Sequence, residues 1–528
     1  MARGTQIING TEYVYGYDST WNAERKYGTH KRDYIGKMVD GVFVPNKKYK
    51  LQMELEQARK RGPVAATEFK RLFYGATYLF DTIGEKLGIS ADLRKCFPET
   101  CDQILSVAYY LILEDRNPLS RFPKWARTHV HPYGHNLASQ RSSELFGSIG
   151  ENAKQQFFKR QSSRRLEEEY LAYDTTSISS YSKLIGQVKY GKNKDHEHLA
   201  QINLALVYGQ GSRLPVCYRK LPGNITDVTT VKKLLFDIDF LTLNKVKLVM
   251  DRGFYSEANI NALYQYHYKF LIAVKISLKM VQKQLDQVRE TMLSRAYYSS
   301  KQKLNYYSTM ITWPYQEIKK RSGEVSLSEK RIYLHLFHNG QRAADDKAAL
   351  NALLDQLEAE LLSGSLNPNH EKLYSKYYDI TETPVRGVNL TPKQETISVA
   401  EKNYGYFALL SNDLKDPLEA LEIYRSKDLI EKAFGNLKER LNMRRTSVSS
   451  EENLEGKLFV QFVALIYLAY IDRAMRENSL YKDYTMQELL DELDVIERFQ
   501  QPGSRHHIGE MTKRQMELYR CLDVDLPS

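Results

Sequence analysis

The stretch VKLVMDRGFYSEANINALYQYHYKFLIAV, Val246 to Val274, decides the fold. Val246 to Asp251 is a short apolar run that ends in an acid, and Phe270 to Val274 is a second apolar run. Ser256 to Tyr266, between them, has the length and spacing of a helix opened by a serine cap. Apolar runs this short, separated by a helix, predict buried strands of one sheet joined by a crossover.

Upstream, YLAYDTTSI (Tyr170 to Ile178) is a strand candidate with Asp174 inside it. Ile202 to Tyr208 and Pro215 to Lys220 flank Gly209 and Gly211, a hairpin signal. That GQG lacks the third glycine and following helix of a nucleotide fingerprint, so it is a turn. LPGNITDVTTVKKLLFDI (Leu221 to Ile238) is a turn feeding a helix, with Asp227 near the N-cap. The predicted order is β-β-β-α-β-α-β, a mixed α/β core. It resumes at YGYFALLSND, Tyr404 to Asp413, after a long section of different character.

The remaining chain divides around this core into expected parts. Residues 1–60 form a small β-rich unit, with aromatics at Tyr13, Tyr15, Tyr17 and Trp21 and a hairpin candidate at Asp40 to Tyr49. Residues 61–165 are helical; FKRLFYGATYLFDTIGEKLGI and CDQILSVAYYLILED have helical apolar spacing. Core segments at 166–275 and 401–475 flank an insertion at 276–400, and residues 476–528 make a helical end. The insertion is rich in Tyr and Lys, has β-type stretches such as RIYLHLF, and carries one helix with a stripe of Leu350, Leu353, Leu354, Leu357 and Leu361. Such a stripe predicts a packing face.

The 528 residues suit two to four domains at roughly 100–200 residues each. With 42% hydrophobic and 27% charged residues the chain is globular in composition, not disordered or fibrous. Four cysteines exclude a disulfide scaffold; Cys96 and Cys101 have no second zinc-spaced pair and read as ordinary thiols. The polar stretch Met1 to Tyr15 lacks the apolar segment of a signal peptide. The most apolar run, Leu458 to Ile471, is too short to span a bilayer and predicts a buried helix. The net charge of +11 admits nucleic acid, an anionic membrane or an acidic protein as partner.

Three carboxylates stand out by position. Asp174 lies in the first core strand and Asp251 ends the fourth, so one sheet can bring them together. Glu431 lies in Tyr424 to Leu441, read as one helix. At about 100° per residue, Tyr424, Lys427, Glu431 and Lys438 share an arc of roughly 60°. Ile430, Phe434, Leu437 and Leu441 occupy the adjoining arc and would pack on the sheet. Three clustered acids repel one another and persist when a divalent cation neutralises them. Two Mg²⁺ ions held this way activate water or a 3′-hydroxyl and stabilise a leaving oxygen. The structural alternative makes each acid a cap or an ion-pair partner. KDHEH (Lys194 to His198) offers zinc-type ligands but no second cluster, so a solvated or substrate-facing loop is the better expectation. Trp313, in the basic insertion, is a candidate for stacking on a base, with core packing the commoner role.

YDTTSI, GKNKDHEHLAQINLAL, LPGNITD, VMDRGFYSEANINAL and YRSKDLIEKAFGNLKERLNMRR together resemble bacterial insertion-sequence transposases of the DDE type. The likeness is to the IS-four-like group, which carries a β-rich insertion between its second Asp and its Glu. The terminal signature of that group, Tyr, Arg, Glu and Lys at fixed spacing, falls on Tyr424, Lys427, Glu431 and Lys438, with Lys in place of Arg at Lys427. Lysine keeps the charge but loses the bidentate fork.

The resemblance implies an RNase H-like mixed-sheet core with Asp174, Asp251 and Glu431 as catalytic and metal-binding residues. It implies Mg²⁺ (two ions, Mn²⁺ substituting) and DNA contacts from Tyr424, Lys427, Lys438 and Arg252. It further implies a helical N-terminal region that binds inverted-repeat ends, target DNA, a homodimeric synaptic complex and cut-and-paste movement. The place of action would be the bacterial cytoplasm, at the nucleoid, without a membrane partner. Two rivals keep the same residues: an RNase H-like nuclease without strand transfer, and a transposase-derived DNA-binding protein without catalysis.

Overall fold

The computed structural model describes residues 2–22, 27–58, 70–115, 117–164, 169–240, 246–318, 325–383, 387–448, 450–500 and 505–527. The chain divides into two compact units, residues 1–72 with 497–510 and 528, and residues 73–496 with 511–527.

The smaller unit begins as an antiparallel meander of β1 (Ala2–Ile8), β2 (Thr11–Asn22), β3 (Tyr27–Val39) and β4 (Val42–Pro45). Two of its turns, Asn9-Gly10 and Asp40-Gly41, have positive φ at both residues, the primed geometry that Asn-Gly and Asp-Gly favour. The expected hairpin at Asp40 ends early: the chain turns into α1 (Lys47–Ala58), where the Asn46 carboxamide caps the Tyr49 amide. Trp21 has no described side chain. β5 (Lys70–Phe73) joins two C-terminal strands in a separate sheet, so the segment KRLF is not the start of a helix.

In the larger unit, helices α2 (Gly75–Lys86), α3 (Ile89–Cys96), α4 (Cys101–Leu113), α5 (Phe122–Trp125), α6 (Ser139–Ser148) and α7 (Glu151–Ser162) precede the core. The core comprises β6 (Tyr170–Ser180), β7 (Gln201–Gly209), β8 (Leu214–Pro222), α8 (Asp227–Phe240), β9 (Lys247–Met250), α9 (Glu257–Gln265) and β10 (Lys269–Val274). This is the order expected from the sequence. The hairpin lies where Gly209 and Gly211 placed it, and Ser256 caps α9 by accepting from the Asn259 amide.

The section from 276 to 400 contains α10 (Lys279–Met292), β11 (Tyr298–Ser299), β12 (Leu304–Ile318), β13 (Val325–His338), α11 (Gly340–Ser363), α12 (Glu371–Tyr377), β14 (Tyr378–Thr383), β15 (Gly387–Pro392) and α13 (Gln394–Glu401). Only part of it stands apart from the core. β13 pairs with β16 (Tyr406–Ser411), so the long β12–β13 hairpin continues the core sheet. The separate part is a cluster in which Leu357 and Leu361 are buried against Tyr374, Tyr377 and Tyr378, with Leu350, Leu353 and Leu354 packed around them. The leucine stripe is therefore a packing face.

After β16 come α14 (Pro417–Arg425), α15 (Asp428–Gly435), β17 (Arg445–Thr446), α16 (Glu451–Glu477), α17 (Met486–Asp494), β18 (Glu497–Gln500), β19 (His507–Ile508) and α18 (Lys513–Cys521). The large sheet runs β11-β12-β13-β16-β10-β9-β6-β7-β8, with β17 added to β6. β9 lies parallel to both β6 and β10, while β7 and β8 are antiparallel. α16 is long and apolar enough to cross a membrane, but 89% of its apolar window is buried within the protein. It packs on α4, α6 and β8, as expected of a core helix.

Candidate active site

Two parallel strands bring the aspartates together. The β6–β9 ladder ends with Tyr173 opposite Met250, and the next residue along each segment is an acid, Asp174 within β6 and Asp251 just past the end of β9. Neighbouring strands lie about 4.8 Å apart, and residues in register on parallel strands face the same side. The 77 residues between the two acids are thus bridged by one step of a sheet. Beyond this point β6 is rejoined on that edge by β17, at Ser179 and Ser180. The parallel partner is missing between, and the carboxylates sit at that opening.

The third acid arrives from the other end of the core. The expected single helix from Tyr424 to Leu441 is instead broken twice. α14 ends at Arg425, and a turn of i to i−3 bonds follows, with Lys427 N donating to Tyr424 O and Ile430 N to Lys427 O. After α15 the chain widens into a π turn, Asn436–Arg440, in which Leu441 N reaches back to Asn436 O. Tightening first and widening later changes the 100° step on which the shared arc depended. The apolar side survives: Ile430, Phe434, Leu437 and Leu441 are all buried.

The breaks separate the polar residues into two groups. Tyr424 Oη donates to Asp251 Oδ1 at 2.8 Å. Lys427 Nζ donates to Glu431 Oε1 at 2.7 Å and lies 3.9 Å from Asp251 Oδ2. Lys438, rotated away by the π turn, donates to Asp195 Oδ2 at 2.6 Å. Arg252 is exposed beside Asp251, whose Oδ1 accepts its backbone N–H. Trp313 is set apart from these residues: it is 4% exposed and its indole N–H donates to Asn261 Oδ1 at 2.9 Å.

Two functional neighbours escaped the sequence reading. Lys194 Nζ lies 3.4 Å from Asp174 Oδ1 and 3.7 Å from Asp227 Oδ2. Asp227 in turn accepts from Thr175 Oγ1 at 2.6 Å. The sequence reading gave both stretches other roles, a solvated or substrate-facing loop for KDHEH and a turn with Asp227 near a helix N-cap for LPGNITD. The loop bearing Lys194 is folded around Asn193, whose Oδ1 accepts the amides of Asp195 and Glu197. Its carboxylates meet cations, Asp195 with Lys438 and Glu197 with Arg445. No zinc-type cluster forms there, among the described residues.

The electrostatics divide the aspartates. Burial pushes the Asp174 carboxyl above the usual carboxylate range, against the pull of Lys194 and the Thr175 amide. Burial also opposes ionisation of Asp251, but Lys427, the Tyr424 hydroxyl and the Arg252 amide outweigh it and hold Asp251 below that range. Burial would lower Lys427; Glu431, Asp251 and Asp174 more than compensate and raise it. One ammonium thus lies within the field of all three acids.

Hard carboxylate oxygens at the end of a sheet suit a hard divalent cation. As they stand, no three His, Cys, Asp or Glu groups among the described residues enclose a point in the manner of a bound ion. The Lys427 ammonium spans Asp251 and Glu431 instead. The oxygen donors are of the type such an ion takes, and Lys427 and Lys194 supply positive charge beside them.

Residues 165–467, more than half of the chain, match the family model described as the transposase DDE domain. No curated protein matches the chain. Among solved structures, the cryo-EM structure of a piggyBac transposase synaptic complex with hairpin DNA aligns with 84% of this chain and 75% of its own. The identity is 12% and the TM-score 0.33, too loose a superposition to bear on this chain.

Proposed function

The chain belongs to the transposase DDE-domain family, and from that premise we propose that it is a cut-and-paste DNA transposase of a bacterial insertion sequence. The observation that carries the proposal is the register of β6 and β9, which sets Asp174 beside Asp251. Tyr424 and Lys427 then tie the segment bearing Glu431 to the same place. The order β8-β7-β6-β9-β10, three antiparallel strands followed by two parallel ones, supports an RNase H-like core. The β12–β13 hairpin and the helical cluster after it are the β-rich insertion of the IS-four-like group.

In this assignment Asp174, Asp251 and Glu431 hold two Mg²⁺ ions, for which Mn²⁺ can substitute. Such ions, when bound, make a nucleophile of water or a 3′-hydroxyl and stabilise the leaving oxygen. The chain's own residues prepare the site. Tyr424 fixes the rotamer of Asp251, and Lys427 keeps the acids neutralised until the ligands assemble. Arg252, exposed at the rim, offers a phosphate contact, as do Tyr424, Lys427 and Lys438 once DNA displaces their present partners. Trp313 is assigned to DNA only through the insertion that carries it. The partners are inverted-repeat ends and target DNA, held by a homodimer in a synaptic complex at the bacterial nucleoid.

The test uses DNA cloned from the genomic flanks of the coding region, inspected for short inverted repeats and a target duplication. Wild-type protein should nick the ends in Mg²⁺ but not in EDTA, and should join them to a target plasmid. Asp174→Asn, Asp251→Asn and Glu431→Gln should each abolish nicking. Cleavage by all three variants would overturn the assignment of these residues. Nicking without joining would leave a nuclease, and binding without nicking a non-catalytic relative. Binding to the ends should weaken by about 10³-fold or more between 50 and 200 mM salt, given six or more phosphate contacts.

A further inference from the structure

Thr175 follows Asp174 on β6, and its hydroxyl lies between two charged groups. Its Oγ1 donates to Asp227 Oδ1 at 2.6 Å and accepts from Lys194 Nζ at 2.8 Å. A hydroxyl has one proton. Because Asp227 takes it, the oxygen lone pairs are left to face the ammonium. Lys194 has a second short bond, 2.6 Å, to the Thr175 carbonyl. Its contact with Asp174 Oδ1 is long by comparison, 3.4 Å. The ammonium is therefore anchored by Thr175 and only leans on Asp174. It can yield that carboxylate to another cation without leaving its place.

Asp227 is held where this requires. It opens α8, and a Cβ on Gly253 would lie 3.2 Å from its Oδ2, so the Asp251-Arg252-Gly253 turn packs directly on this side chain. The loop carrying Lys194 is fixed from the far side by the Lys438–Asp195 and Arg445–Glu197 pairs. Three stretches distant in sequence thus converge on one lysine beside one acid.

We propose that Asp227 is a positioning residue of the DNA-cleaving site: acting through the Thr175 hydroxyl, it fixes Lys194 as a resident cation that shares Asp174 with an incoming divalent ion and weakens that ion's binding. This rests on the assignment of Asp174 as a metal ligand. A fixed positive charge a few ångströms from a doubly charged ion opposes its binding in the partly buried site, by about tenfold at the least. The arrangement offsets part of the negative charge of the DNA-free site and leaves tight metal capture to the complex with DNA.

Mn²⁺ titration of the full chain without DNA, followed by the electron paramagnetic resonance of the free ion, tests this apart from cleavage. The relevant site is the one lost in Asp174→Asn. If that variant binds Mn²⁺ like wild type, the metal assignment itself fails. With that site identified, Lys194→Met should bind Mn²⁺ more tightly, by about tenfold at the least. Thr175→Val, which changes no charge, should shift affinity the same way, and Thr175→Ser should restore the wild-type value. Thr175→Val should add nothing in the Lys194→Met background, and the effect of Asp227→Ala should differ at least threefold between the two backgrounds. Unchanged affinity in Lys194→Met, additive effects, or a serine variant that behaves like valine would each overturn the proposal. Thermal melting confirms that each variant compared is folded.

Discussion

Tyr424 donates its phenolic hydrogen to Asp251 Oδ1 at 2.8 Å, across 173 residues of sequence. Burial and the charge of Asp251 push that phenol well above its ordinary range, so it stays a donor at any pH the protein meets. A hydrogen bond to a charged group contributes about 1.5–3 kcal/mol. Tyr424→Phe keeps the ring against the buried cluster that includes Leu421 and Leu409 and removes only the donor. It should leave the fold intact and slow end cleavage by about 10- to 100-fold, read as a single-turnover rate.

The two aspartates should respond oppositely when made neutral. Asp174 is raised, so the folded state holds its proton more tightly than the unfolded chain. Its ionisation at neutral pH opposes folding, and that cost disappears as pH falls through the raised value. Asp251 is depressed, so its ionised form stabilises the fold above the unfolded pKa and that contribution is lost as pH falls through the folded value. In EDTA at pH 7, Asp174→Asn should therefore melt above wild type and Asp251→Asn below it. On acidification to about pH 4 the Asp174→Asn difference should shrink, while the Asp251→Asn difference should persist until pH falls below the ordinary carboxylate range. Midpoints that move in the same direction for the two variants would contradict this division.

Gly223 shows why LPGNITD carries a glycine. A Cβ there would overlap the Gln201 carbonyl oxygen and press within 2.6 Å of the Lys189 carbonyl oxygen. Its own carbonyl accepts from Gln201 Nε2 at 3.1 Å. Gly223→Ala should cost about 1–3 kcal/mol by overpacking, measured by urea denaturation. The strain falls where the Lys194 loop leaves the sheet.

Much of this site was legible because the acids end apolar strands. VMD and LAYD are patterns in which a buried run meets its first charge, and sheet register then aligns them. The polar residues after Tyr424 were less so. A 100° step assumes an unbroken helix, and no residue type in SKDLIE or GNLKER announces the i to i−3 turn or the π turn. Lys194 was hidden for another reason. KDHEH reads as a solvated charge run, and its lysine acquires a role only when Asp227, 33 residues later, is folded against Thr175. The insertion was legible as a β-rich section with its own leucine face. That its hairpin continues the core sheet depends on pairing between β13 and β16, which lie far apart in sequence.

Lys438 couples the π turn to the Lys194 loop. Its side chain is 10% exposed, that of Asp195 is 21%, and their 2.6 Å bond links residues 243 apart. Removing the ammonium leaves a mostly buried carboxylate without its charged partner, at about 1.5–3 kcal/mol. The loss falls on the loop, where the Asp195 amide donates to Asn193 Oδ1. Lys438→Met should therefore speed amide exchange at Asp195 and Glu197 by about 10- to 100-fold while β6 and β7 keep their protection. Asp195→Asn should loosen the same amides. If Lys438 serves DNA alone, Lys438→Met will weaken end binding and leave loop exchange unchanged, so exchange measured without DNA separates the two roles.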